Sequence, residues 1–216
     1  MSFSDASLPD LLADAQTLYT GARDDAEIVA ALDPYGYTVD DHDADLAAVA
    51  ELRRLIGVQA AEYRDQFGAT REAAARTATV RALFVAHRRR TRRAHPRGTD
   101  GYAALRLGEP IPQARPDLLA DAERFWRTLA ERPDLTDEAR RLDPEIVARA
   151  QEALTLAQAA AVAQARETGE AQDASEAVAV AAEALRDDAS ELAEDAREAL
   201  TDRPQLLEKL GLLARS

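Results

Sequence analysis

The strongest constraint on the fold is a heptapeptide that occurs twice. Residues 9–15 read PDLLADA, and residues 116–122 repeat this sequence letter for letter at an offset of 107. Leu18-Tyr19 is matched by Phe125-Trp126 at the same offset. Further along, the offset shifts to 105, where Thr38 matches Asp143, and then to 101, where Gly68 matches Gly169. These matches indicate an internal duplication of a unit of about 100 residues.

The composition excludes an all-β fold. Of the 216 residues, 49 are alanine and only 5% are aromatic, so strand-forming residues are scarce. Apolar residues instead recur three and four positions apart, as at Leu8, Leu11, Leu12 and Ala15, which is typical of one face of an α-helix. The sequence therefore predicts an all-α protein.

Each repeat is predicted to contain three helices. The first begins after Ser7, a capping residue followed by a proline and an acid. The second covers residues 38–67 and the third residues 70–94, with Gly68 as a C-cap between them. The second repeat has the same plan, with helices over 143–168 and 173–200 separated by Gly169.

Proline and glycine residues suggest the domain boundaries. Residues 96–114 contain three of each and are predicted to form a linker. We predict a first repeat over 1–95, a second over 115–201 and a short C-terminal helix within 202–216 that docks through its leucines. Two arrangements are open: a six- to seven-helix bundle with pseudo-twofold symmetry, or two separate three-helix bundles.

The net charge of −13 disfavours general contact with nucleic acid or anionic lipid. Asp-rich composition with a single lysine suits concentrated salt, and we interpret the source as halophilic. The absence of cysteine excludes disulfides and agrees with a reducing compartment. No export signal is visible in residues 1–10, and no apolar run reaches the roughly 20 residues that span a bilayer. We expect a cytoplasmic protein without membrane contact.

One segment reverses the overall charge. Residues 87–97 contain six arginines and no acid. Helical periodicity places His87, Thr91 and Ala94 on the apolar face and distributes the neighbouring arginines over the remaining surface. The candidate partner- or anion-binding patch consists of Arg88, Arg89, Arg90, Arg92 and Arg93.

This arginine patch has two interpretations. Guanidinium groups match the oxygens of phosphate, nucleic acid or an acidic protein. Alternatively, the duplication aligns the arginines with an acidic helix at residues 187–195, and opposite charges at related positions could neutralise each other inside the bundle or across a dimer. Both interpretations remain open at the level of sequence.

A second candidate site lies near the start of the second predicted helix. Asp41, His42 and Asp45 fall on one helical turn, and oxygen-rich clusters with a histidine can hold a divalent cation. Acids are also favoured in a first turn by the helix dipole. These residues are therefore weak metal candidates.

Motifs for catalysis are missing. The chain has no cysteine nucleophile, no Gly-x-Ser-x-Gly motif, no phosphate-binding loop and no dinucleotide fingerprint. His87 is predicted to be a semi-buried histidine with its hydrogen bonds satisfied. We predict no enzymatic activity, no catalytic residue and no cofactor. The leading interpretation is a helical scaffold that binds a protein or a second copy of itself; the alternatives are a nucleic-acid-associated protein that uses the arginine cluster 88–93 and a carboxylate-based metal-binding regulator.

Four stretches resemble an uncharacterised bacterial family of duplicated all-helical proteins. They are the Gly36-Tyr37 turn, residues 59–70, the region of His87 and the ending RPQLLEKLG at residues 203–211. The resemblance spans most of the chain. It implies the duplicated helical architecture and assigns no function and no catalytic residue.

Overall fold

A computed structural model describes residues 3, 5–138 and 142–212. Within these ranges the regular structure is entirely helical and contains no strand, which confirms the predicted all-α class. The helices are α1 (Leu8–Asp24), α2 (Ala26–Leu32), α3 (Val39–Ala94), α4 (Asp100–Ala104), α5 (Arg115–Glu131), α6 (Pro133–Glu138), α7 (Pro144–Ala199) and α8 (Pro204–Lys209), with a 3₁₀ helix at Asp33–Tyr35.

Side chains cap the helix starts that the sequence predicts. The hydroxyl of Ser7 accepts a hydrogen bond from the backbone N–H of Asp10 at the start of α1. Before α3, Thr38 and Asp41 form a capping box in which each side chain accepts from the other residue's backbone N–H. Asp143 accepts from the N–H of Ile146 at the start of α7. These local predictions are confirmed.

The predicted turns at Gly68 and Gly169 are wrong. Helices α3 and α7 are each 56 residues long and continue through these glycines. Of the described glycines, only Gly36, Gly98 and Gly211 have a positive φ. An interior glycine costs about 1 kcal/mol relative to alanine, and the alanine, arginine and glutamate residues nearby are strong helix formers. Because there is no proline or left-handed residue at these positions, neither helix ends at its glycine.

The chain divides into two compact units, each with its own core. Unit 1 is Met1–Tyr63 with Glu170–Ser216, and unit 2 is Arg64–Gly169. Each 56-residue helix therefore contributes one part to each unit. This grouping differs from the predicted repeats 1–95 and 115–201. The predicted linker 96–114 lies inside unit 2, where Leu105 and Leu107 are buried in the core.

The short helix α8 docks on α1 in unit 1, as its leucines predict. Leu206 and Leu207 are buried in the unit 1 core. A side chain at Gly21 of α1 would meet the end of Leu210 at 2.9 Å, so glycine allows this close approach. Lys209 forms a 2.6 Å ion pair with Asp25.

Candidate functional site

Two arginines of the predicted patch bind backbone within unit 2. The buried Arg88 donates from Nη2 to the carbonyls of Arg106 and Glu109, at 2.9 and 2.8 Å. Arg92 donates to the carbonyl of Leu107. The prediction that Arg88 lies on the surface is wrong, because the segment after α4 covers this side of α3 and Arg88 supplies donors to its carbonyl groups.

The other arginines of the patch are exposed. Arg89, Arg90 and Arg93 lie on the surface of unit 2, as does most of Arg92. The acids of residues 187–195 belong to unit 1. Charge pairing between these two segments therefore stays a prediction.

His87 is hydrogen-bonded, as predicted, but is buried rather than semi-buried, and it pairs with the single tryptophan of the chain. Its Nδ1 accepts a 3.1 Å hydrogen bond from Nε1 of Trp126, and the two rings meet edge to face. Burial, assisted by the nearby charge of Arg90, lowers the pKa of His87 to about 4. The imidazole is therefore neutral near pH 7, and its Nδ1 is already hydrogen-bonded to Trp126 inside unit 2.

His95 is also buried in unit 2. Its Nε2 lies 3.1 Å from the carbonyl oxygen of Leu135. The ring rests directly against the backbone of Gly101, where a Cβ atom would lie 2.3 Å from Nδ1. Neither histidine of unit 2 is presented to solvent.

The predicted metal candidates of unit 1 have two different environments. Asp41 is the capping acid of α3, and its hydrogen bonds from the hydroxyl and backbone N–H of Thr38 lower its pKa. His42 is 1% exposed and stacks on Tyr37 with ring centroids 5.9 Å apart. The distance from Nδ1 of His42 to the carboxylate of Asp45 is 3.6 Å, too long for a hydrogen bond.

Asp41 and Asp45 line an acidic pocket of unit 1 with a volume of about 360 Å³. Its described lining contains five acids and no lysine or arginine. Two of the acids are held by neighbours: Asp41 by Thr38, and Asp195 by a 2.7 Å hydrogen bond from the hydroxyl of Tyr37. The lining residues are Tyr35, Gly36, Tyr37, Asp41, Asp45, Asp188, Glu191, Leu192 and Asp195.

Two groups near Asp45 escape prediction from local sequence. Asp188 of α7 has a raised pKa, because burial and the nearby charge of Asp45 disfavour its ionised form. Tyr19 of α1 is fully buried, and its pKa is raised by burial and by the charges of Asp45 and Asp188. The sequence signal for these positions is the repeat offset: offsets of 107 and 101 align Tyr19 with Trp126 and Asp188 with His87.

Concentrated carboxylates and phenol groups suit a positively charged ligand, since they supply negative charge and oxygen acceptors.

Comparison with family models, curated proteins and solved structures finds no match to this chain. In the part of the chain that the structure describes, no helix has both the length and the apolar character needed to cross a membrane.

Proposed function

We propose that this protein is a non-enzymatic helical binding module that accepts an arginine-bearing segment of a partner protein in the acidic pocket of unit 1. The observation that carries the proposal is the convergence of five acids from α3 and α7 on one pocket. These acids attract a cation locally, in addition to the general attraction that the net charge of −13 exerts on positively charged molecules.

The pocket matches a guanidinium group in chemistry and size. Carboxylates pair with arginine through parallel hydrogen bonds, and a volume of about 360 Å³ accommodates a long side chain. Tyr35 at the rim is 39% exposed and offers an aromatic face for a cation. Because Asp41 and Asp195 are already oriented by Thr38 and Tyr37, binding would order few additional side chains.

The burial of all three histidines supports a binding role. All three histidines of the chain, His42, His87 and His95, are at least 97% buried. His87 and His95 contact Trp126 and the Leu135 carbonyl inside unit 2. None of them is exposed as a general base, so we propose no acid–base chemistry by histidine.

Duplication is part of this proposal, and the helix order supports it. Helices α1 to α4 contain 17, 7, 56 and 5 residues, and helices α5 to α8 contain 17, 6, 56 and 6 residues. A cytoplasmic location, a halophilic source and a relation to the bacterial family that the chain resembles are likewise proposed from the sequence.

The nucleic-acid alternative has weaker support. Arg88 and Arg92 donate to backbone carbonyls, so the exposed patch that could contact phosphates consists mainly of Arg89, Arg90 and Arg93. Binding through this patch would weaken steeply with salt. Replacing Arg89 and Arg93 by serine would abolish it and would leave peptide binding in unit 1 unchanged.

The test of the peptide proposal compares two charge-matched variants. Glu191→Gln/Asp195→Asn removes two pocket acids, and Glu152→Gln/Asp173→Asn removes two exposed acids elsewhere. Fluorescence anisotropy would measure the affinity for a short arginine-containing peptide, with a citrulline peptide as the uncharged control. We expect at least a tenfold weaker Kd for the pocket variant alone. Equal weakening in both variants would show general charge attraction and refute the proposal.

A further inference from the structure

Two exposed arginines near the end of α3 have no acidic partner in their own unit. The side chains of Arg89 and Arg93 form no ion pair or hydrogen bond with any described residue of unit 2. Another exposed arginine of α3 is paired: Arg76 lies 2.6 Å from Glu72. The positive charge of Arg89 and Arg93 is therefore not compensated by the described part of unit 2.

The five acids of the pocket have no basic partner of this kind either. None of them forms an ion pair with a lysine or an arginine among the described residues of unit 1. Asp41 and Asp195 accept hydrogen bonds from Thr38 and Tyr37, which are neutral. A carboxylate has about four acceptor positions, so these acids can also accept from a guanidinium group. The pocket thus presents negative charge that the described part of unit 1 does not neutralise.

The arginines and two of the pocket acids have the same spacing. Arg89 and Arg93 are four residues apart on α3, and Glu191 and Asp195 are four residues apart on α7. Side chains at this spacing share one face of a helix and are about 6 Å apart along its axis. Two guanidinium groups on one helix therefore match two carboxylates on another helix in both charge and spacing.

Each surface also has an exposed apolar side chain beside its charges. Val85 lies one turn before Arg89 on the same face of α3 and is 42% exposed. Tyr35 lines the pocket and is 39% exposed. Protein interfaces combine polar contacts with apolar area and are enriched in tyrosine. Contact between the two surfaces would therefore bury apolar area in addition to pairing charges.

We propose that the arginine-bearing segment bound by the acidic pocket is the end of α3, residues 85–93, of a second copy of this chain. The inference rests on the proposed function, because it names the partner of the same pocket. Charge complementarity favours a second copy: residues 87–97 contain six arginines and no acid, and the pocket contains five acids and no lysine or arginine. Nucleic acid would engage the arginines and leave the pocket empty, whereas a second copy accounts for both surfaces.

The net charge of −13 does not prevent this contact between identical chains. At physiological ionic strength the Debye length is about 8 Å, so repulsion between charges that are farther apart is largely screened. Oppositely charged groups in direct contact are screened much less when the contact excludes water. Local complementarity therefore outweighs the repulsion between the two chains.

The first test measures the mass of the full chain by sedimentation velocity over a range of protein concentrations. We expect a dimer or a larger assembly, because contact between two different surfaces of identical chains either closes or continues. Arg89→Ser/Arg93→Ser should weaken the association at least tenfold. Arg71→Ser/Arg127→Ser removes two exposed arginines elsewhere in unit 2 and should associate like the parent chain. A monomeric parent chain, or equal weakening in both variants, would overturn the proposal.

A mixing experiment separates association between chains from charge pairing within one chain. Glu191→Gln/Asp195→Asn should also weaken association at least tenfold, whereas the control Glu152→Gln/Asp173→Asn should not. At a concentration where the arginine variant and the pocket variant are each monomeric, their mixture should form a heterodimer. One chain then supplies the intact pocket and the other supplies the intact arginines. Charge pairing within one chain cannot be restored by mixing, so a mixture that stays monomeric would refute the contact between copies.

The arginine-containing peptide distinguishes failure of this inference from failure of the proposed function. If the second copy occupies the pocket, excess peptide should displace it and return the parent chain to a monomer. If the peptide binds a chain that is monomeric at every concentration, the pocket keeps its function and the second copy is the wrong partner. A chain that neither binds the peptide nor associates would refute both proposals. Salt-sensitive oligonucleotide binding that is lost in Arg89→Ser/Arg93→Ser, without self-association, would assign the arginines to nucleic acid instead.

Discussion

The polar groups around His87 in unit 2 and around Tyr19 in unit 1 differ in how their hydrogen bonds are completed. In unit 2, Trp126 donates a hydrogen bond to His87, and both side chains are buried. At the sequence offsets of 107 and 101, unit 1 has Tyr19 and Asp188, and the hydroxyl of Tyr19 has no hydrogen-bond partner among the described residues. The hydrogen bond around His87 is therefore completed inside unit 2, whereas the buried hydroxyl of Tyr19 in unit 1 has no partner among the described residues.

A third position strengthens this difference. The offset of 105 aligns His42 of unit 1 with Val147 of unit 2. Val147 is an apolar core residue, whereas His42 adds a buried nitrogen beside Asp45. At this offset unit 1 has a buried polar group where unit 2 has apolar packing, and a buried polar group without a hydrogen bond lowers stability.

The largest predicted effect is a loss of stability in acid that depends on His87. Its pKa is about 4 in the folded protein and 6.5 in the unfolded chain, so the unfolded state binds the additional proton as pH falls through this window. The free energy of unfolding should fall by on the order of 3 kcal/mol between pH 7 and 4 through this group. Urea unfolding of the parent and His87→Gln, followed by Trp126 fluorescence, isolates this contribution. Equal pH dependence in both proteins would contradict it.

A second comparison concerns close contacts in the two units. Gly101→Ala would place Cβ 2.3 Å from the ring of His95, which is held by the Leu135 carbonyl, and should cost about 2 kcal/mol. Gly21→Ala of unit 1 would mainly meet the movable end of Leu210 at 2.9 Å and should cost about half as much. Thermal unfolding measures both, and a larger loss for Gly21→Ala would reverse the comparison.

Matched aromatic substitutions test the hydrogen bonding directly. Trp126→Phe removes the donor to His87 and leaves a small cavity, so we expect a loss of about 2 kcal/mol. Tyr19→Phe removes a buried hydroxyl without a partner among the described residues and should leave stability unchanged or raise it by up to about 1 kcal/mol. Urea unfolding gives both values. A loss in Tyr19→Phe as large as that in Trp126→Phe would show that the hydroxyl is hydrogen-bonded.

The smallest effect should be the same in both units. Gly57 and Gly68 lie in the unit 1 and unit 2 parts of α3, with open space where a Cβ would be. Gly57→Ala and Gly68→Ala should each stabilise the protein by about 0.5–1 kcal/mol, because alanine has the higher helix propensity. Equal gains in Tm would restrict the difference between the units to their polar clusters. A loss at Gly68 would indicate a local requirement for glycine.

Helix starts were predictable because their signals are local. Ser7, Thr38 and Asp143 accept from backbone groups three residues later, so each cap is contained in four consecutive residues. The ends predicted at Gly68 and Gly169 failed for the opposite reason. A glycine ends a helix only when it takes a left-handed conformation, and these two remain helical within strong helix formers.

The candidate site was predictable only in part. Asp41, His42 and Asp45 share one turn of α3, so sequence alone groups them. Tyr19 and Asp188 come from α1 and α7, and only tertiary packing brings them close to Asp45 of α3. Burial of Arg88 depends in the same way on the segment at residues 106–109. Helical periodicity describes one helix and contains no information about which other segment covers its polar face.

The division of the long helices between the units determines the order in which the cores can form during synthesis. Unit 2 is continuous, so its residues 64–169 are all present before residue 170 is made. The leucines of α1 and α2, made first, reach the rest of their core only after the last part of α7 and α8 has been added. The core of unit 2 can therefore be completed during translation before the core of unit 1, which carries the acidic pocket.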